Sequence, residues 1–248
     1  MIRCRFHFVF LTTGQALVAR QGSIETSNGP VSIDLTSLGP FSIASRNGGI
    51  LGVFNVSSSL TLKTRNDKIK AVVALNPDKD GSGTLDIATE HRCLSSTPSS
   101  FYLITKRLTS RTNSLINLDV ALNPFQKSAT GGSFAITSTS SHSPTRLRVR
   151  EAPVDARLRV NVSTTSAPAE LLLPSTFEGA FDVAAAHFWP TVFASEHVRD
   201  PSGEGRKRIV VVEKEGSHAS GSVGWSEEGR ERGHVELRTT HSPALLKL

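Results

Sequence analysis

The sequence predicts an all-β repeat protein, a β-solenoid of strand–corner–strand units roughly 19–25 residues long with a C-terminal β-hairpin cap. Three observations carry that prediction. Short runs alternate apolar and polar residues, as in Phe41-Ser42-Ile43, Leu60-Thr61-Leu62 and Leu85-Asp86-Ile87, the pattern of a strand with one buried face. Leu60–Leu75 restates Phe41–Phe54 and, before it, Gly22–Leu35, so the corner asparagines Asn28, Asn47 and Asn66 recur at a step of 19. Ser, Thr and β-branched residues abound, and no long apolar run exists. An antiparallel β-sandwich also shows short, evenly spaced strands and stands as the alternative. The near-identity of successive units, beyond their alternation, favours the solenoid.

At the N-terminus, residues 1–20 have two readings. Arg3 and Arg5 precede a short apolar run, Phe6–Leu11, as in a signal peptide. The run is interrupted by His7, and Leu17 sits where a small cleavage-site residue belongs, so the segment also reads as the first strand and corner. Residues 21–194 carry the repeats. Their corners include Thr26–Pro30, Ser45–Gly49, Thr64–Asp67, Ser141–Pro144 and Thr164–Pro168. Asn and Gly accept left-handed backbone angles, and Ser and Thr hydroxyls bond turn backbone. The second strands are expected at Val31–Leu35, Ile50–Phe54, Ile69–Leu75, Leu115–Leu122, Thr145–Val149 and Ala169–Leu173. His91–Lys106 breaks the pattern and reads as an inserted loop; without it, Leu85–Glu90 joins Asn113–Ile116 as one unit. Residues 195–248 hold a polar loop at Asp200–Gly205, a hairpin around Glu215–His218, and a closing unit at Val235–Leu248.

Composition narrows the function. The net charge of +6 is spread out, its densest cluster being Arg206-Lys207-Arg208, and aromatics are 6% of the chain. That argues against nucleic acid as partner, which calls for a basic stripe and stacking rings. No run is apolar enough for a transmembrane helix. The two cysteines, Cys4 and Cys93, make no Cys-x-x-Cys motif, so neither a disulfide scaffold nor a zinc ribbon is indicated.

Candidate chemistry is sparse. Asp78–Asp86 resembles the first nine positions of a calcium loop, but position 12 is Thr89 and β-prone residues precede it. Catalytic nucleophile and phosphate-loop motifs are absent. Asp119 and Asp182, the carboxylates a polysaccharide-cleaving β-helix would use, lie singly in alternating strands and read as solvent-facing. His142, His187 and His241 fall at or near equivalent corners, where stacked coils bring side chains together. The asparagines elsewhere in that row favour a polar ladder over a metal site. The sequons Asn55-Val56-Ser57 and Asn161-Val162-Ser163 matter only in a secreted chain.

The Thr-Ser-Asn-Gly-Pro type of corner, the run Leu171–Gly179 and the closing Val235–His241 resemble a family of uncharacterised proteins of mushroom-forming fungi. That family is similar in style to adhesin-like β-solenoids of bacteria. The resemblance spans roughly Gly22 to Leu248 and implies a repeat fold, with no activity, cofactor or catalytic residue. The chain departs from it at His91–Lys106 and at the corner His187–Pro190. The expected role is a non-catalytic structural or adhesin-like binding protein with no cofactor, meeting a protein or glycan surface. The competing readings are a β-helix enzyme acting on polysaccharides and a calcium-dependent binding module. Cytoplasmic and secreted locations both stay open.

Overall fold

Each strand–corner–strand unit folds into one coil of a two-sheet parallel β-solenoid. A computed structural model describes residues 2–6, 9–10, 17–76, 82–89, 115–124, 131–195 and 197–248. The first coil carries β1 (Ile2–Phe6), β2 (Val9–Phe10) and β3 (Leu17–Ala19), the last two pairing with opposite ends of the next coil's second strand. That second coil is β4 (Gly22–Thr26) with β5 (Val31–Ser37), and the third is β6 (Phe41–Ser45) with β7 (Ile50–Val56). Then come β8 (Ser59–Thr64) with β9 (Ile69–Leu75), and β10 (Ser82–Thr89) with β11 (Ile116–Leu122). The sixth coil is β12 (Ser133–Ser140) with β13 (Thr145–Glu151), and the seventh β14 (Arg157–Thr164) with β15 (Ala169–Leu172). From β4 to β15, first strands stack in parallel in one sheet and second strands in the other. The repeat length is the register: Phe41 pairs with Gly22 and Leu60, and Ile50 with Val31 and Ile69. Asp78–Gly81 of the calcium-like loop and His91–Lys106 lie outside the described residues, while Ser82–Asp86 of that loop belong to β10.

Period-two alternation puts every second residue between the sheets. Ile43, Leu62 and Ile87 form one fully buried row; Val31, Ile50, Ile69 and Ile116 form another. Each such side chain contributes about 1.5–3 kcal/mol when buried, a gain offset by the entropy of ordering it. Gly52 (φ 156) lets the backbone of adjacent coils approach closely, since a Cβ there would come within 1.9 Å of the Ile33 carbonyl oxygen. Ser138 breaks the Ile87 row: it is fully buried and its hydroxyl has no hydrogen-bond partner. Ser138→Ala is therefore expected to stabilise the fold by about 1 kcal/mol, read as a raised urea midpoint with unchanged slope.

The corners have their own row. Thr26, Ser45, Thr64, Thr89, Ser140, Thr164 and Thr239 end first-sheet strands and are all buried. Thr26 Oγ1 donates to the Gly29 carbonyl (2.8 Å) and Ser140 Oγ to that of Ser143 (2.9 Å); Thr164 and Thr239 make the equivalent bonds to Ala167 and Ser242. Turning the chain aims a carbonyl into the coil, away from water, and a hydroxyl three residues back satisfies it. Thr164→Val is expected to cost about 1–3 kcal/mol by leaving that carbonyl unpaired, a loss that thermal melts would report.

Beyond the seventh coil, chain order and spatial order part. β16 (Gly179–Ala185) and β17 (Thr191–Phe193) follow β15 in sequence but do not pair with its coil. β18 (Ile209–Glu215) and β19 (His218–Gly224) form an antiparallel hairpin, and β19 covers the outer edge of β16. After a 3-10 turn at Glu228–Glu231, β20 (Gly233–Thr239) enters between β14 and β16, parallel to both. β21 (Ala244–Lys247) does the same between β15 and β17. The unit expected to close the chain thus lies last but one, and the β16–β17 coil with its hairpin forms the end. Alternation identifies a unit without naming its neighbours, since every parallel edge offers the same ladder of bonds.

Local contacts hold the inserted coil. Gly179 (φ 155) meets Gly233 across the entrance, where a Cβ on Gly179 would come within 2.3 Å of the Gly233 carbonyl oxygen. Glu178, 3% exposed, accepts the Trp225 backbone N–H (2.9 Å) and pairs with Arg232 (3.0 Å). Arg232 also pairs with Asp155, so one guanidinium ties the seventh coil to the segment before β16.

Candidate functional site

Residues that alternate outward from the first sheet form rows across the coils. One row runs Ser23, Ser42, Thr61, Asp86, Thr137 and Asn161, each in register with the next. The row beside it holds Glu25, Ala44, Lys63, Ala88, Thr139 and Ser163. Most of these side chains are small, so the face stays flat, with one polar position about every 4.8 Å. Lys63 and Asp86 neutralise each other there (3.4 Å). Towards the inserted coil the face becomes charged, as the first row continues through Glu236, Asp182, Ser220 and Glu213.

A cavity of about 320 Å³ lies at that charged end, lined by Glu213, Lys214, Glu215, His218 and Ser220. His218 Nε2 lies 3.0 Å from Asp182 Oδ2, both half-exposed. Ser220 pairs across the strands with Asp182. No hydrogen bond joins Ser220 to His218, so the relay that activates a nucleophilic serine is not formed. Hairpin alternation put His218 and Ser220 on one face, a pattern readable in the sequence; that Asp182 meets them depends on which strand the hairpin covers.

The two carboxylates singled out from the sequence sit on different sheets, Asp119 in β11 and Asp182 in β16. The Arg150 guanidinium bonded to Asp119 (2.5 Å) holds that carboxyl below its usual range, with Arg148 and Arg146 adding to the effect. Asp119 is therefore an anion at neutral pH and not a proton donor. The two carboxyls do not form the facing pair that glycoside cleavage uses.

The corner row begins as an amide ladder. Asn47 Nδ2 donates to Asn28 Oδ1 (2.8 Å), and Asn66 Nδ2 to Asn47 Oδ1 (2.7 Å). A second ladder, Asn55–Asn76–Asn123, runs along the opposite corner, with Asn123 donating to Asn76 at 2.8 Å. Of the corner histidines, His187 and His241 come together, their ring centroids 5.0 Å apart. His142 belongs to the sixth coil, with Ser166 of the seventh between it and His241. Among the described residues no group of three or more His, Cys, Asp or Glu is placed to hold a metal.

Asp200 makes the tightest polar loop. Its buried carboxylate accepts from the Arg206 side chain and backbone and from the Ser202 N–H and hydroxyl. Those bonds, Arg206 first, hold its pKa well below the ordinary carboxylate range. Because the folded value is depressed, the stabilisation is whole above about pH 4 and is lost only as pH falls through the folded value. The Asp200 carboxyl resonance is thus expected to stay in its ionised position at pH 3 by NMR, where unpaired aspartates have begun to shift.

No helix among the described residues is long and apolar enough to cross a membrane. No protein-family model matches the chain, and no curated protein or solved structure matches it either.

Proposed function

We propose that the protein is a non-catalytic scaffold or adhesin-like binding protein whose flat first-sheet face takes up an extended polar partner, a glycan or a protein surface. The observation that supports this most is the in-register row from Ser23 to Asn161, small polar side chains at a fixed step on a rigid face. Such a row offers repeated hydrogen-bonding positions to a repeating or flat ligand at little ordering cost. The test is a glycan array and a pull-down with the full chain, run beside a Ser42→Lys, Thr61→Lys, Thr137→Lys variant. Loss of a bound ligand in the variant, about tenfold or more, supports the reading; unchanged binding overturns it.

A second reading, an enzyme acting on polysaccharides, draws on His218, which lines the cavity and lies 3.0 Å from Asp182. It predicts release of reducing ends from a polysaccharide panel, abolished in His218→Ala.

A further inference from the structure

We propose that His187 and His241 form a two-imidazole site for a divalent transition-metal cation of the zinc, nickel or copper class. Bound there, the cation pins the inserted C-terminal coil to the outermost one. The two histidines are 54 residues apart in sequence, yet the backbone places them side by side. Ala185 pairs with Thr239 at the ends of β16 and β20, so the residues two further on stack at the same corner. The Ala186 N–H to the Thr239 carbonyl (3.1 Å) and the His241 N–H to the Thr165 carbonyl (2.8 Å) continue that register around the turn.

The ring geometry suits one shared cation. A metal held about 2.0–2.1 Å from a ring nitrogen lies about 3.2 Å from that ring's centroid. Two such rings then have centroids about 4.5 Å apart at a right angle and about 5.2 Å apart at the tetrahedral angle. The observed separation is 5.0 Å, with the rings tilted by 43°. Both side chains are exposed, and among the described residues no hydrogen bond occupies their ring nitrogens. This distinguishes the pair from the start of the same corner row, where each amide is bonded to the next.

Because the donors belong to different coils, binding favours the assembled state by mass action. His142, two coils away, is outside the pair, and Ser166 occupies the place between.

The experiment is calorimetric titration of the full chain with Ni²⁺ at pH 7.5, paired with thermal melts. Saturable binding at one site is expected, with a Tm that rises on adding Ni²⁺. His187→Gln and His241→Gln should each weaken binding by about tenfold or more, since either change removes the chelate, and each should cancel the Tm rise. His142→Gln should leave both unchanged, and Ser166→His, by adding a third imidazole beside His241, should tighten binding. All four substitutions are at exposed corners, and far-UV circular dichroism checks that each variant is folded. No saturable binding up to about 1 mM, undiminished binding in either glutamine variant, or partial loss in each that reports two independent sites overturns the proposal.

Discussion

Deleting residues 233–248 is expected to abolish cooperative folding of the C-terminal third of the protein instead of trimming a free end. In a solenoid whose units stack in chain order, the last unit has one neighbour and its loss is mild. Here β20 pairs with both β14 and β16, and β21 with both β15 and β17. Removal leaves two parallel edges facing a gap one coil wide. It also removes Val235, Leu237 and Leu246, each fully buried. At about 1.5–3 kcal/mol per side chain, that is a large part of the roughly 5–15 kcal/mol that holds a typical domain. Urea unfolding and limited proteolysis read the outcome: cleavage spreading through residues 174–232 supports the inserted arrangement. A truncated chain in which β16 and the hairpin stay protected would show the coil to be dispensable. A synthetic 233–248 peptide added in trans should restore protection, since it pairs in register with both edges of the gap.

Replacing Glu178 with Ala should cost about 3 kcal/mol, measured as a shift in urea midpoint. The carboxylate is 4% exposed, and its loss strands the Trp225 N–H and removes one of two partners of Arg232. Glu178→Gln keeps an acceptor for Trp225 and only weakens the pair, so its cost is expected to be clearly smaller. Equal costs would mean that the charge facing Arg232, and not the hydrogen bond to Trp225, carries the effect. A double-mutant cycle with Arg232→Ala separates the two. Gly229 packs so closely on this carboxylate that a Cβ would lie 1.7 Å from Oε2, so Gly229→Ala should perturb the same clamp without touching either charge.

Much of the fold is legible in the sequence because one periodicity sets several levels at once. The alternation in Leu60–Leu75 sets which side chains face the core, and the step of 19 sets the register of Leu60 beside Phe41. Asn28, Asn47 and Asn66 stack for the same reason. The candidate site was less legible. Asp182 meets His218 only because the hairpin covers the edge of β16, a pairing among distant segments that no local pattern encodes. The closeness of His187 and His241 likewise depends on β20 standing next to β16.

By itself the sequence determined the unit: where most of the repeat strands run, which face is apolar, and where the corners bend. Those are local properties, governed by side-chain alternation and turn chemistry within a few residues. Only the tertiary structure decided the order of the units at the C-terminal end. All parallel edges of the solenoid present the same backbone bonds, so the choice among them falls to particular contacts. Gly179 against Gly233, and Glu178 with Trp225 and Arg232, select the slot that the last coil fills.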